Sequence, residues 1–321
     1  MGRDGKKLVV IALGGNAILQ STEKGTAEEQ LRNVGITCEQ LIKMNKQGYL
    51  LLITHGNGPQ AGNLLIQQEE GKKFIPAQPL DIVGAMTQGQ IGYMFQNLLQ
   101  NYFMKVGKKI PICTVVTQVL VKEDDPDFKD PTKPVGPFYT KDEALRLKND
   151  KGYVVKEVKP KGDKTWRRVV PSPEPMEIVE AECVKSLIAA RAIVIASGGG
   201  GIPVMQKTDG SLQGLEAVID KDKAGNVLAQ SVKADIFLIL TDVENARINF
   251  GKTEEKPVGK IKISEMQKLY DQGHFLKGSM GPKVLAAMRF VKAGGEKAII
   301  TSLAKAVDAL EDKTGTIIIP D

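Results

Sequence analysis

Cysteine is scarce in this 321-residue chain: Cys38, Cys113 and Cys183 are odd in number, far apart and in no C-x-x-C spacing. That pattern argues against a disulfide framework and against a zinc site. Histidine is scarcer still, with only His55 and His274, which disfavours a protein-built transition-metal centre. Aromatic residues make up 5% of the chain and are not interleaved with basic residues as on a nucleic-acid surface. No apolar run approaches the ~20 residues needed to cross a bilayer. The first residues also lack the apolar core of a signal peptide, so a cytoplasmic protein with no membrane partner is expected. Three motifs are missing as well. Neither GNGPQAG nor GGGGIPV satisfies the P-loop pattern, Gly56, Gly58 and Gly62 only approach the dinucleotide fingerprint, and there is no G-x-S-x-G elbow.

Hydrophobic residues at 42% and charged residues at 26% are ordinary for a globular chain long enough for one large core or two modest lobes. A formal net charge of +6 and a pI near 9.0 suit a small anionic substrate as well as they suit nucleic acid.

The chain is organised around Leu8 to Ala17, LVVIALGGNA. Its unbroken apolar run suits a strand covered on both faces. Gly14 and Gly15 then remove the Cβ atoms where the backbone turns, so that N–H groups can approach an anion, and Asn16 adds an amide. The pattern recurs. YLLLI opens into THGNGPQAG, with Gly56, Asn57 and Gly58, and AIVIA opens into SGGGGIPV. Three such runs predict parallel strands delivering backbone donors to one edge of a sheet, the ligand edge of α/β proteins.

In chain order, Thr26 and Glu29 form a capping box for a helix ended by Gly48, which gives a βαβ unit. The stretch 81–106 reads as a long helix interrupted by Gly84, Gly89 and Gly92, where close packing should offset the cost of glycine. ICTVVTQVLV (112–121) reads as one strand. Residues 122–168 change composition: a polar, proline-rich run, a helix with a capping box at Thr140 and Glu143, and two strands of a hairpin. This segment is expected to be an inserted subdomain, with Lys133 on a rigid extended segment. A helix over 177–190, a strand over 192–196, a turn Asp220-Lys221-Asp222 just before a helix, a strand over 235–241 and two final strands follow. Pro282 is expected at a first helical position, and Lys283 in that first turn opposes the helix dipole, a penalty that a shared anion would remove.

Glycine loops supply neutral donors, but phosphoryl chemistry also needs cations placed on the transferring oxygens; Lys133, Lys221 and Lys283 are the candidates, and each taken singly reads equally as an exposed surface lysine. Taken in order, VVIALGGNAIL, THGNGPQAGNLL, GAMTQGQIGYM, DPTKPVGPF, WRRVVPSP, GGGGIPV, EAVIDKD, ILTDV, GHF and GSMGPKVLAA resemble the carbamate kinases of the amino acid kinase family. The resemblance spans essentially the whole chain. One stretch departs from it: VKPKGDKT, just before WRRVVPSP, lacks the glycine-arginine pair usual there.

The resemblance implies a three-layer αβα sandwich around an open, mainly parallel eight-stranded sheet, with a small protruding inserted subdomain, in a homodimer. It implies an N-terminal lobe (1–205) that binds carbamate or carbamoyl phosphate through Gly14, Gly15, Asn16, Gly56, Asn57 and Gly58. A C-terminal lobe (206–321) would bind ATP or ADP near Thr241, Asp242 and Val243. Lys133, Lys221 and Lys283 would contact phosphate oxygens, Asp222 would organise them, and Mg²⁺ would accompany the nucleotide. The insert would be a lid carrying Lys133. The competing readings are another acid or nucleotide kinase on this fold, and a nucleotide-binding regulatory protein without turnover.

Overall fold

The computed structural model describes residues 3, 5–20, 22–276 and 279–321. Gly278, which opens the GSMGPKVLAA motif, lies outside the described residues. The central sheet holds eight strands: β1 (Leu8–Leu13), β2 (Leu50–His55), β3 (Ile112–Thr114), β4 (Ile193–Ile195), β5 (Ile236–Thr241), β6 (Lys260–Lys262), β7 (Lys297–Ser302) and β8 (Thr316–Ile319). Their order in space is β6-β8-β7-β5-β1-β2-β4-β3. Only β7 and β8 pair antiparallel; every other neighbouring pair is parallel. At the centre of the sheet Ile11 lies between Leu238 and Ile53.

Helices α1 (Ala27–Lys46), α2 (Gly58–Gly71), α3 (Leu80–Lys105), α4 (Lys141–Lys151), α5 (Ala181–Ala189), α6 (Lys221–Ser231), α7 (Ile263–Asp271), α8 (Met280–Lys292) and α9 (Ala306–Leu310) connect the strands. Alternation along β1 explains the layers. Leu8, Val10 and Ala12 enter one core with Val184 of α5, Leu228 of α6 and Val284 of α8. Val9, Ile11 and Leu13 enter the other with Leu41 of α1, Phe95 of α3 and Ala309 of α9. A strand buried on both faces needs apolar residues at every position, which is why this run shows no period of two.

Local signals set several boundaries. Thr26 Oγ1 accepts from the Glu29 N–H at 3.2 Å while Glu29 accepts from the Thr26 N–H at 2.9 Å, the reciprocal pair that starts α1. Thr140 and Glu143 start α4 in the same way. In α3 a β-carbon on Gly92 would fall 2.2 Å from Thr114 Cγ2, so this glycine lets the helix lie against β3. Gly89 faces open space, and the same account does not cover it.

The insert is richer than a hairpin. Lys133–Tyr139, Trp166–Val170 and Val155–Glu157 form a three-stranded antiparallel sheet, with Trp166–Val170 in the middle. Val135 and Val170 pack on Leu80 in a small separate core. Lys151 at the end of α4 holds Glu69 of α2 at 2.8 Å, tying the insert to the body.

Other expectations need correction. The run 112–121 is two strands: β3 in the central sheet and Gln118–Leu120 in a second, four-stranded sheet with Ile202–Gln206, Leu212–Gly214 and Glu177–Ile178. The stretch 177–190 accordingly begins as a strand, and α5 starts only at Ala181. Lys221 and Asp222 lie inside the first turn of α6 rather than before it, because Asp220 is the N-cap. Pro282 is the third residue of α8, after Met280 and Gly281.

Candidate active site

Because β1, β2, β4 and β5 run parallel, their C-terminal ends share one edge of the sheet. β1 opens into Gly14 and Gly15, β2 into Gly56 and Asn57, β4 into Ser197 to Gly201, and β5 ends at Thr241. Two cavities meet there. A cleft of about 460 Å³ is lined by Gly15, Gly56, Asn57, Gly58, Lys133, Asp220, Lys221, Asp222, Thr241 and Lys283, among others. A second, of about 420 Å³, is lined by Gly14, Gly15, Asn16, Lys221, Thr241, Asp242 and Lys283, with Leu240 and Leu303. Gly15, Lys221, Thr241 and Lys283 face both.

Asp222 organises the junction. Its Oδ1 accepts from Lys221 Nζ at 2.7 Å and its Oδ2 from Lys283 Nζ at 2.8 Å, while its side chain is only 3% exposed. Burial pushes the Asp222 carboxyl up, but the two ammonium groups together outweigh it and hold the acid below its ordinary range. Lys283 is drawn down by burial, and Asp222 and Asp220 more than restore it, so its charge is secure. Lys221 ends below the ordinary lysine value because burial is deepest there and Lys283 repels it. One buried carboxylate between two ammonium groups leaves a positive surplus, which suits a phosphoryl group.

Local structure fixes each member. Asp220 accepts from the N–H groups of Asp222 (3.0 Å) and Lys223 (3.2 Å), which starts α6 with Lys221 and Asp222 in its first turn. Its Oδ2 lies 4.0 Å from Lys133 Nζ, so the insert lysine reaches the same cluster. Lys283 comes from α8, whose contacts with α6 carry it across.

The glycine loops work less uniformly than their sequence suggests. The Gly14 N–H donates to the Leu240 carbonyl at 3.0 Å and the Gly56 N–H to the Leu13 carbonyl at 3.1 Å. These two glycines therefore lock the loops and spend their donors on the protein. Gly15 opens a short 3₁₀ turn and Gly58 is the first residue of α2, positions whose N–H groups have no partner within a helix. Asn57 donates through Nδ2 to Thr87 Oγ1 at 2.9 Å. Its amide packs on Gly199, where φ is +66° and a β-carbon would fall 2.2 Å away.

Beneath Gly56 lies His55, fully buried, with Nδ1 donating to the Gly56 carbonyl at 2.9 Å. Burial pushes its pKa down to about 4, so the imidazole is neutral. Its Nε2 has no partner among the described residues and abuts Gly198, where a β-carbon would lie 2.5 Å from it.

The predicted residues thus converge, with qualifications. Gly14 and Asn16 line the second cavity rather than the first. Val243, 36% exposed, lines neither. Asp220 was expected only as part of the D-K-D turn; its N-cap role and its link to Lys133 are decided by the structure. Arg167 also lines the first cleft, and nothing in the order RR distinguished it from Arg168. Among the described residues no group of three or more His, Cys, Asp or Glu side chains is placed to hold a metal ion.

The sequence model of the amino acid kinase family matches residues 7–302. The chain is 55% identical to carbamate kinase of Thermococcus kodakarensis over 316 residues, 98% of this chain and 99% of that one. It is 53% identical to carbamate kinase of Pyrococcus furiosus, with the same coverage. Among solved structures, carbamate kinase from Giardia lamblia bound to AMP-PNP superposes with a TM-score of 0.94 at 46% identity, covering 99% of each chain. With the family model matching residues 7–302 and these relatives matched over nearly their whole length, the chain belongs to the amino acid kinase family and, within it, to the carbamate kinases.

Proposed function

We propose that the chain transfers a phosphoryl group reversibly between ATP and carbamate, running as ADP plus carbamoyl phosphate to ATP plus carbamate in the catabolic direction. The observation that carries this reading is the position of Asp222, which clamps Lys221 and Lys283 where the two cavities meet. An in-line transfer needs its donor and acceptor on opposite sides of the moving group, with positive charge at its equatorial oxygens. We assign the first cleft, on the 1–205 side, to carbamate or carbamoyl phosphate, and the second, on the 206–321 side, to the nucleotide. The Giardia relative's AMP-PNP complex supports a nucleotide ligand.

In this scheme Gly15 and Gly58 offer backbone donors, while Gly14, Asn16, Gly56 and Asn57 shape the loops. Lys221 and Lys283 neutralise the transferring group, and Lys133 brings a third cation from the insert, which closes as a lid and excludes water. Carbamate is already an anion, so neither a general base nor a covalent intermediate is required. Mg²⁺ would neutralise the nucleotide phosphates and be held mainly by them. Among the described residues lining the two cavities, Asp242 is the carboxylate without a lysine partner, and it accepts from Thr241 Oγ1 at 3.0 Å.

Two further features belong to this reading. Ile82, Met86, Tyr93 and Met104 are exposed on a single face of α3, with Gly89 and Gln100 between them, and this partly apolar face supports a homodimer. Cys38, Cys113 and Cys183 are all unpaired, in keeping with a cytoplasmic location, and no helix among the described residues is long and apolar enough to cross a membrane.

The test is ATP formation from ADP and carbamoyl phosphate with Mg²⁺, coupled to hexokinase, for the wild type and Lys221→Ala. Turnover in the wild type that falls by about 10²- to 10³-fold in the variant is the expected result. Activity retained in Lys221→Ala would remove that lysine from the mechanism, and a folded, ADP-binding wild type without product would remove the reaction.

A further inference from the structure

Arg167, in the central strand of the insert, lines the first cleft together with Lys133, Gly136 and Lys221. Its neighbour Arg168 is neutralised by Glu216 and stacks on Tyr153. Arg167 has no carboxylate partner among the described residues, although it is half-buried. Burial pulls its guanidinium below the ordinary arginine value, the mark of a cation withdrawn from water without an anion beside it.

What holds the side chain is a backbone carbonyl. Nε donates to the Gly136 oxygen at 3.1 Å and Nη2 to the same oxygen at 2.7 Å. Gly136 has φ +70°, and the register between the two strands shifts beyond Val135, so the carbonyl is turned out of the regular ladder. The guanidinium carbon also lies 4.9 Å from the centre of the Phe138 ring. The same ring carries Lys159, at 3.7 Å, from the VKPKGDKT stretch, and this contact adds positive charge rather than cancelling it.

A guanidinium has five N–H groups in a fixed fork. The Nε–Nη2 side is committed to Gly136, and the Nη1–Nη2 edge is left with two parallel N–H groups spaced to match two oxygens of one oxyanion. We propose that Arg167 is a substrate-binding residue whose Nη1–Nη2 edge receives two oxygens of the acceptor-side anion, the carboxylate of carbamate or the phosphoryl group of carbamoyl phosphate. The proposal rests on the carbamate kinase reading of the cleft. It makes the insert contribute two cations to the site, Lys133 as a point charge and Arg167 as an oriented fork.

Two variants separate binding from structure. Arg167→Gln keeps an amide donor for the Gly136 carbonyl and removes the charge, and Arg167→Lys keeps the charge and removes the fork. Both should unfold thermally like the wild type. In Arg167→Gln the KM for carbamoyl phosphate should rise about ten- to a hundredfold, the loss of one charge-assisted hydrogen-bonded contact, with the KM for ADP unchanged. Arg167→Lys should recover only part of that loss. A wild-type KM for carbamoyl phosphate in Arg167→Gln, or an equal rise in both KM values, overturns the assignment. If the wild type makes no ATP at all, the functional reading fails by itself, and calorimetric titration with inorganic phosphate and with bicarbonate still judges Arg167. Tighter binding by wild type than by Arg167→Gln sustains the oxyanion contact and shows which oxyanion shape it takes, while equal binding of both ions overturns it.

Discussion

Gly56 and Lys221 are in contact across the first cleft: a β-carbon on Gly56 would stand 3.2 Å from Lys221 Cδ and 3.5 Å from Cε. The glycine is therefore what lets the lysine stem run along the loop to Asp222.

Gly56→Ala tests this relationship. The added methyl is too close for the stem as it lies, and Lys221 must shift by a few tenths of an ångström while its ammonium is tied to Asp222. A displacement of that size at a charge-stabilising group should lower kcat about tenfold, with little change in the denaturation midpoint because the stem is flexible. Unaltered kcat, measured in the coupled ATP assay, would show that the stem accommodates the methyl without moving the ammonium.

Asp222→Asn addresses the bridge itself. The variant leaves Lys221 and Lys283 charged, largely buried and facing each other across a neutral amide. Removing one partner of a buried ionic network costs about 3–5 kcal/mol, and the loss should appear in urea unfolding. Because the like charges then repel, a polyanion should compensate, and added ATP should restore more stability to the variant than to the wild type. Equal stabilisation of both proteins by ATP would mean that the carboxylate does not hold the lysines apart.

His55 predicts a pH dependence. Its pKa is about 4 in the folded chain against an ordinary 6.5, so between those values the unfolded chain binds the extra proton. Stability must then rise with pH across that window and be lost as pH falls from 6.5 toward 4, by ~3 kcal/mol in full. His55→Gln should flatten that part of the profile. A slope that survives the substitution would assign the acid sensitivity to other groups.

Much of the fold was legible from local chemistry. A strand buried on both faces must be apolar throughout, and β1 is. Capping boxes at Thr26 and Thr140 are reciprocal bonds over three residues, and they form where the sequence places them. The division of 112–121 was not legible, because an apolar run satisfies either of two sheets. What breaks it is Thr117, whose N–H donates to Gln88 Oε1 at 2.8 Å and whose hydroxyl accepts from the Ser197 N–H at 2.6 Å, both from distant parts of the chain.

The site divides in the same way. The order of motifs along the chain was enough to identify the family and, through that resemblance, to nominate Lys133, Lys221, Asp222 and Lys283 for the site, because motif order is a property of the sequence itself. Which donors stay available was decided by tertiary structure alone: Gly14 and Gly56 read like Gly15 and Gly58, yet their N–H groups are spent on Leu240 and Leu13. Arg167 and Arg168 are adjacent and chemically identical. Only the position of Glu216, in another part of the chain, neutralises one and leaves the other lining the cleft, because charge pairing depends on distance in space, which no local pattern encodes.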